Sequence, residues 1–285
     1  MREIIINNSF VSSDNSTYTY RFPLGSQPTF EKGDKIALDS LSMYYSWPSI
    51  TSTNGNNTFQ YVWPFNSSTT TTVTVPDGFY TIEDLNAYLQ YIMIANKHYL
   101  VDSSGNYVYY LNFSTNSVRY AVQLDVSPLP TALGTYTYPS GATWTLSGAA
   151  TYPQIVIPSS ESISKIIGFN AGTYPSTTTP ATSTTVYSKI SDFTPQVTPV
   201  SSVVVTCSLL NNSYSIPNNL LYSFAPNTTY GSQITITPPS KTFVDMQGGK
   251  VSEFSISFLD QNFNKLKIQD NNIVILLTIA TKDEL

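Results

Sequence analysis

The clearest pattern of apolar and polar positions lies near the end of the chain. Between Val251 and Leu259, Phe254, Ile256 and Phe258 alternate with Glu253, Ser255 and Ser257. A repeat of two is the mark of a strand with one buried and one wet face. Asp260-Gln-Asn-Phe-Asn264 follows, a cluster of turn-formers. Ile273 to Ile279 is short, apolar and mostly β-branched, which predicts a strand covered on both faces. With Ile234-Thr-Ile236 opening the stretch, the pattern implies layered β-sheets.

The start of the chain reads the same way. Ile4 to Ile6 predicts a short strand within an arm, residues 1–14, that docks on a neighbour. Thr17 to Phe22 alternates. Lys35 to Trp47 is a long strand whose phase slips near Asp39 and Ser40, the signature of a bulge, and Pro48 ends it. Asn54-Gly-Asn-Asn57 is a turn, and Thr58 to Trp63 returns as the next strand. Ser67 to Thr72 reads as a low-complexity bridge.

The middle section changes character. Pro76-Asp-Gly78 is a turn, and Thr81 is an N-cap with Asp84 three residues on. Tyr80 and Leu85 occupy the positions of a hydrophobic staple. Ile82, Leu85, Leu89, Ile92 and Met93 share one helical face, which predicts a helix over about 82–95, the only long one. A hairpin is expected from 106–113 and 117–124, and a short strand at Ile155 to Ile157. One or two helical turns are expected over 159–169, with Gly168 as the C-cap before Phe169. Residues 128–153 and 172–185 read as irregular. From Val203 to Leu210 and Asn219 to Phe224 the strand signal resumes. The order β, mixed, β predicts an all-β sandwich built from 1–75 and 195–285, with a mixed α/β insertion over 76–194.

Composition sharpens this picture. Of 285 residues 41% are hydrophobic, ample for a core, but only 11% are charged, against roughly 25% in an average globular chain. Ser, Thr, Asn and 21 Tyr fill the gap, so uncharged surface is available for packing against neighbours. The net charge is −5, and no Lys/Arg cluster marks a nucleic-acid footprint. No apolar run reaches membrane-spanning length, and the start lacks the pattern of a signal peptide. Lys282-Asp-Glu-Leu285 spells a retention signal that matters only in the secretory lumen, and is read as coincidence. The same holds for Asn66-Ser-Ser and Asn227-Thr-Thr as glycosylation triplets.

Chemistry is scarce. The sole histidine, His98, is expected on the surface just past the helix. The sole cysteine, Cys207, sits in a Val-rich strand and reads as a buried, inert thiol. Together they cannot make a zinc site of the usual spacing, and a catalytic triad could only be built around His98, with no nucleophile-elbow context in the sequence. Asp260-x-Asn262-x-Asn264 imitates a calcium loop, but Lys265 and Asn271 replace its glycine and glutamate, leaving a turn. The 18 acids include no marked glycosidase pair, and no phosphate-loop or dinucleotide fingerprint appears. The expectation is no enzymatic activity, no metal and no cofactor. Tyr44, Tyr45 and Trp47, with Tyr61 and Trp63, suit core or subunit-interface packing; the alternative is sugar stacking by a carbohydrate- or receptor-binding β-sandwich module of a virion.

Four segments in this order resemble the penton, or vertex capsid, proteins of the virophage and Polinton-type virus lineage. They are Ile36–Trp47; the run from Pro76, Asp77 and Gly78 through Tyr80, Thr81, Asp84 and Leu85; Ile163 to Gly168 and Phe169; and Ile234–Ile279 around Asp260. The resemblance implies a single jelly roll with an insertion between its strands. It implies a homopentamer at the icosahedral fivefold vertices of a virion assembled inside the host cell. It also implies contact with a double-jelly-roll major capsid protein; a host receptor or glycan is a further candidate partner, belonging to the alternative reading. Ile4, Ile5, Ile6, Tyr44, Tyr45, Trp47 and Trp63 are the candidate interface residues.

Overall fold

A computed structural model describes residues 1–10, 16–65 and 69–284. The chain divides into two compact units, one formed by 1–47 and 200–285 and the other by 48–199. The first unit begins with β1 (Arg2–Asn7), β2 (Thr17–Arg21), the short β3 (Thr29–Phe30) and β4 (Lys35–Tyr44). The second holds β5 (Thr58–Trp63), β6 (Thr69–Thr74), α1 (Ile82–Ala95), β7 (Leu100–Val101), β8 (Tyr107–Val108), β9 (Leu111–Asn116) and β10 (Ala121–Val126). It continues with β11 (Gln154–Ile157), α2 (Ser164–Ile167), β12 (Gly172–Tyr174) and β13 (Tyr187–Ile190). The chain then completes the first unit with β14 (Val203–Cys207), β15 (Leu220–Phe224), β16 (Gln233–Ile236) and β17 (Val244–Asp245). β18 (Gly249–Lys250), β19 (Glu253–Leu259) and β20 (Val274–Ala280) end it.

The first unit is a jelly roll. Its two main sheets have the orders β1-β20-β4-β16, with β17 also on β4, and β15-β14-β19-β2. Lettered B to I in chain order, β1, β2, β4, β14, β15, β16, β19 and β20 form sheets B-I-D-G and C-H-E-F. Every main ladder is antiparallel. The chain changes sheet at every connection except the hairpin from β14 to β15, which is the double Greek-key winding of this fold. The period-two pattern is realised directly: Phe254, Ile256 and Phe258 on β19 are buried, as are Ile36, Leu38, Leu41 and Met43 on β4. The phase slip in β4 is a bulge, because Leu276 pairs with Ser40 while Leu277 pairs with Leu38, leaving Asp39 over.

The N-terminal stretch corrects an expectation. Arg2–Asn7 is not an arm reaching for a neighbour but the edge strand of the first sheet. It pairs with β20 from Arg2↔Ile279 to Asn7↔Val274. Ile4 and Ile6 fill the core of the roll, so six residues that could bury little alone are held by a ladder and two core side chains. Residues 11–14 of the expected arm lie outside the described residues, as do Ser67 and Ser68 of the expected bridge.

The boundary of the insertion also differs. It falls at 47/48 and 199/200, so 48–75 belongs to the inserted unit and not to the roll. The reason is pairing: β5 is hydrogen-bonded to β6 on one side and to β11 on the other. The threonine run read as a bridge supplies β6, whose Thr69–Thr74 pairs with Thr58–Trp63. Threonine is β-branched and suits a strand once a partner is present. The inserted unit contains a four-stranded sheet β12-β11-β5-β6, a three-stranded sheet β13-β10-β9, the pair β7-β8 and two helices. Its core gathers Phe59, Tyr61, Trp63, Ile82, Leu85, Leu89, Met93, Phe113, Ile155 and Phe169.

Helix α1 forms where its caps predict. Thr81 accepts from the Asp84 amide while the Asp84 carboxylate accepts from the Thr81 amide, closing the capping box. Its polar side chains dock on the free edge of β9. Asn86 accepts from the Phe113 amide at 2.9 Å and donates to Asn112 at 3.0 Å, and Glu83 accepts from the Thr115 hydroxyl at 2.6 Å. A helix covers an edge that would otherwise be open to another strand.

Candidate functional site

The most distinctive polar group of the inserted unit is His98, which the sequence placed at the surface. It is 7% exposed. Past α1 the chain turns through Lys97, whose φ is 62°, and the His98 amide donates back to the Met93 carbonyl at 2.8 Å. That left-handed step swings the ring inward. The imidazole stacks on Trp63, centroids 5.2 Å apart and planes 11° apart, and its Nδ1 lies 2.8 Å from the Tyr61 hydroxyl. Trp144 crosses Trp63 at 79° and donates its indole N–H to the Lys97 carbonyl at 2.6 Å. Burial holds His98 down to about 4 and pushes the Tyr61 phenol up to about 12. The group is a neutral ring hydrogen-bonded to a phenol inside an aromatic box. Tyr61 is held protonated by burial, so this phenol is not an activated nucleophile.

The other candidate groups are structural. Cys207 is fully buried, and burial pushes its thiol up to about 12, far from a reactive thiolate. The Asp260 carboxylate accepts from the amides of Asn262 and Asn264, both at 2.8 Å, and from the Asn264 side chain at 3.1 Å. It closes a turn instead of facing an ion. Asp102 does the same for Ser104 and Asn106. Among the described residues no group of three or more His, Cys, Asp and Glu side chains is placed to hold a metal. No helix among the described residues is long and apolar enough to cross a membrane.

The motif residues serve the frame of the inserted unit. Gly78 exchanges two backbone hydrogen bonds of 3.0 Å with Ile50, and Asp77 accepts from the Ser52 amide at 2.7 Å, so the Pro76 turn is tied to the segment at 49–52. Tyr80 packs against the core that contains Leu85. Gly168 ends α2 at φ 77°. A Cβ there would lie 2.3 Å from the Phe193 carbonyl oxygen, so only glycine fits. Phe169 is buried directly after it.

The expected interface residues divide sharply. Ile4, Ile6, Tyr45, Trp47 and Trp63 are all buried within the chain, whereas Ile5 is 60% and Tyr44 39% exposed. Burial removes the first five both as contact residues and as sugar-stacking platforms, since a stacking ring must offer a face to solvent. Alternation along Ile4-Ile5-Ile6 splits the run between core and outer face.

A groove of about 390 Å³ lies beside the start of α1, lined by Ile82, Glu83, Tyr120, Val122, Pro195 and Val197. Its one carboxylate is already engaged by Thr115. The walls are mainly apolar and no set of polar groups converges there.

The class of protein the geometry defines is a single jelly roll carrying a large insertion between its D and E strands. No protein-family model and no curated protein matches the chain. Among solved structures it is similar to the crystal structure of the mavirus penton protein, with 9% identity over 98% of each chain and a TM-score of 0.46. It is also similar to a chain of the Sputnik virophage structure determined by cryo-EM, with 14% identity over 99% of this chain and 97% of that one and a TM-score of 0.39.

Proposed function

We propose that this protein is a structural subunit of a virus shell, a homopentameric penton at the fivefold vertices that meets a double-jelly-roll major capsid protein around it. The observation that carries the reading is the winding of the first unit, B-I-D-G against C-H-E-F, with its insertion between D and E. A single jelly roll with an insertion between its strands is what the resemblance of the four ordered segments implies. The low charge supports it, since contact surfaces in an assembly are depleted of charged groups. The residues accord with a role without chemistry: the sole histidine and the sole cysteine are both buried. The sugar-binding alternative loses Trp47 and Trp63, its stacking residues, to the core.

The test is cryo-EM of particles co-expressed with a major capsid protein. Density for this chain at the fivefold vertices is the expected result. Density on the faces, or absence from assembled shells, would sink the assignment.

A further inference from the structure

The outer face of the first sheet is covered over one half and bare over the other. On the covered half, Lys241 reaches over β20 and β4, pairing with Asp39 at 2.7 Å and donating to Thr278 at 2.9 Å. Ala37, Thr278 and Ala280, which face outward there, are buried. On the other half no described side chain of this unit plays this part. The register sets Ile5 beside Leu276 and Ser40, then Asn7 beside Val274, Ser42 and Thr235, then Tyr44 beside Gln233. Ile5 is 60%, Val274 42% and Tyr44 39% exposed. None of the residues in those rows is charged. The sequence pattern of β20 is that of a strand covered on both faces, yet on the outward side Val274 is exposed and Leu276 only partly buried.

We infer that this bare half-sheet is the contact through which one copy of the protein meets the next. The inference rests on the assembly proposed above and deepens it. Two arguments select a second copy as the occupant. The chain carries a net charge of −5, so identical copies repel, and they approach best through a patch free of like charges; a basic partner would instead be met by carboxylates. The size of the patch points the same way. Four strands about 4.8 Å apart and some 14 Å of length give on the order of 300 Å². A stable isolated pair needs about 800 Å² on each side. A contact this small holds when closure of a ring makes it together with others, and a ring uses two different surfaces of each subunit. The patch is therefore met by a different surface of the neighbouring copy, and pairwise association in dilute solution is weak.

The experiment uses the full chain bearing Val274→Cys. The native Cys207 is buried with its thiol pushed up to about 12, so maleimide reports position 274 alone. Labelling is measured on dilute protein and on shells assembled with a major capsid protein. The expected result is rapid labelling when free and protection by at least tenfold in shells, with a bifunctional reagent linking position 274 to another copy of this chain. Val274→Lys should lower incorporation at least tenfold. Ile5→Thr combined with Val274→Thr, which keeps strand propensity and removes the apolar surface, should lower it less but clearly. Val118→Lys, at a 91% exposed site of the inserted unit, should have no effect. If the chain enters shells at the vertices while position 274 labels as freely as in solution, this inference falls and the penton reading stands. A protected thiol cross-linked only to the other shell protein overturns the choice of a second copy. A chain absent from shells overturns both.

Discussion

Acidification should loosen the inserted unit through a single group, His98. Burial is the cause that lowers its affinity for a proton to about 4 from the ordinary 6.5. The unfolded chain therefore binds more protons than the folded one between those values. The contribution to stability is fully present above pH 6.5 and is lost as pH falls through the window, levelling off below about 4. One unit is worth about 1.36 kcal/mol, so the loss is about 2 kcal/mol at pH 5 and about 3 kcal/mol at the floor. The protein has one histidine, which leaves the window from 6.5 to 4.5 to this group. The depressed carboxylates act lower; Glu284, for example, is held down to about 2 by the N-terminal ammonium of Met1. Trp63 stacks on the imidazole and Trp144 crosses Trp63, so tryptophan fluorescence reports this region in urea titrations from pH 7.5 to 4.5. His98→Phe keeps the stacking shape but removes one hydrogen bond of the Tyr61 hydroxyl, at a cost of about 1 kcal/mol that does not vary across the window. The wild type should lose about 2 kcal/mol between pH 7 and 5, and the variant should stay flat. An imidazole that titrates near 6.5 by NMR, or a variant with the same acid slope as the wild type, would refute the reasoning.

Ile6→Ala in β1, at a fully buried site, should destabilise the roll by about 2–5 kcal/mol; deletion of residues 1–7 should yield insoluble protein, and a soluble deletion with unchanged melting would show that the edge strand is dispensable. Gly168→Ala forces a side chain against the Phe193 carbonyl at a left-handed residue and should cost about 2–4 kcal/mol in thermal denaturation; unchanged melting would contradict the close approach. Cys207 should not react with a thiol reagent at pH 8 until denaturant is added, because burial keeps its thiol up at about 12; stoichiometric labelling of the native protein would show an open strand.

What the sequence determined by itself is local. Alternation gave β4 and β19, the phase slip gave the bulge at Asp39, and Thr81 with Asp84 gave the start of α1, because each signal is contained within a few residues. Partnership is not contained in that way. Arg2 meets Ile279, so only the folded sheet could turn Ile4 and Ile6 from a presumed arm into core. Thr69–Thr74 has a composition that serves equally well as a linker or a strand, and the free edge of β5 decided it. That same pairing, with β11 on the other side, moved the insertion boundary back to 47/48. His98 follows a helix of the expected length, but a single left-handed residue, Lys97, and the aromatic box beyond it decided that the ring turns inward. Local sequence specifies which segments are strands and helices; which face of each is covered depends on distant chain, and is settled only when the sheets close.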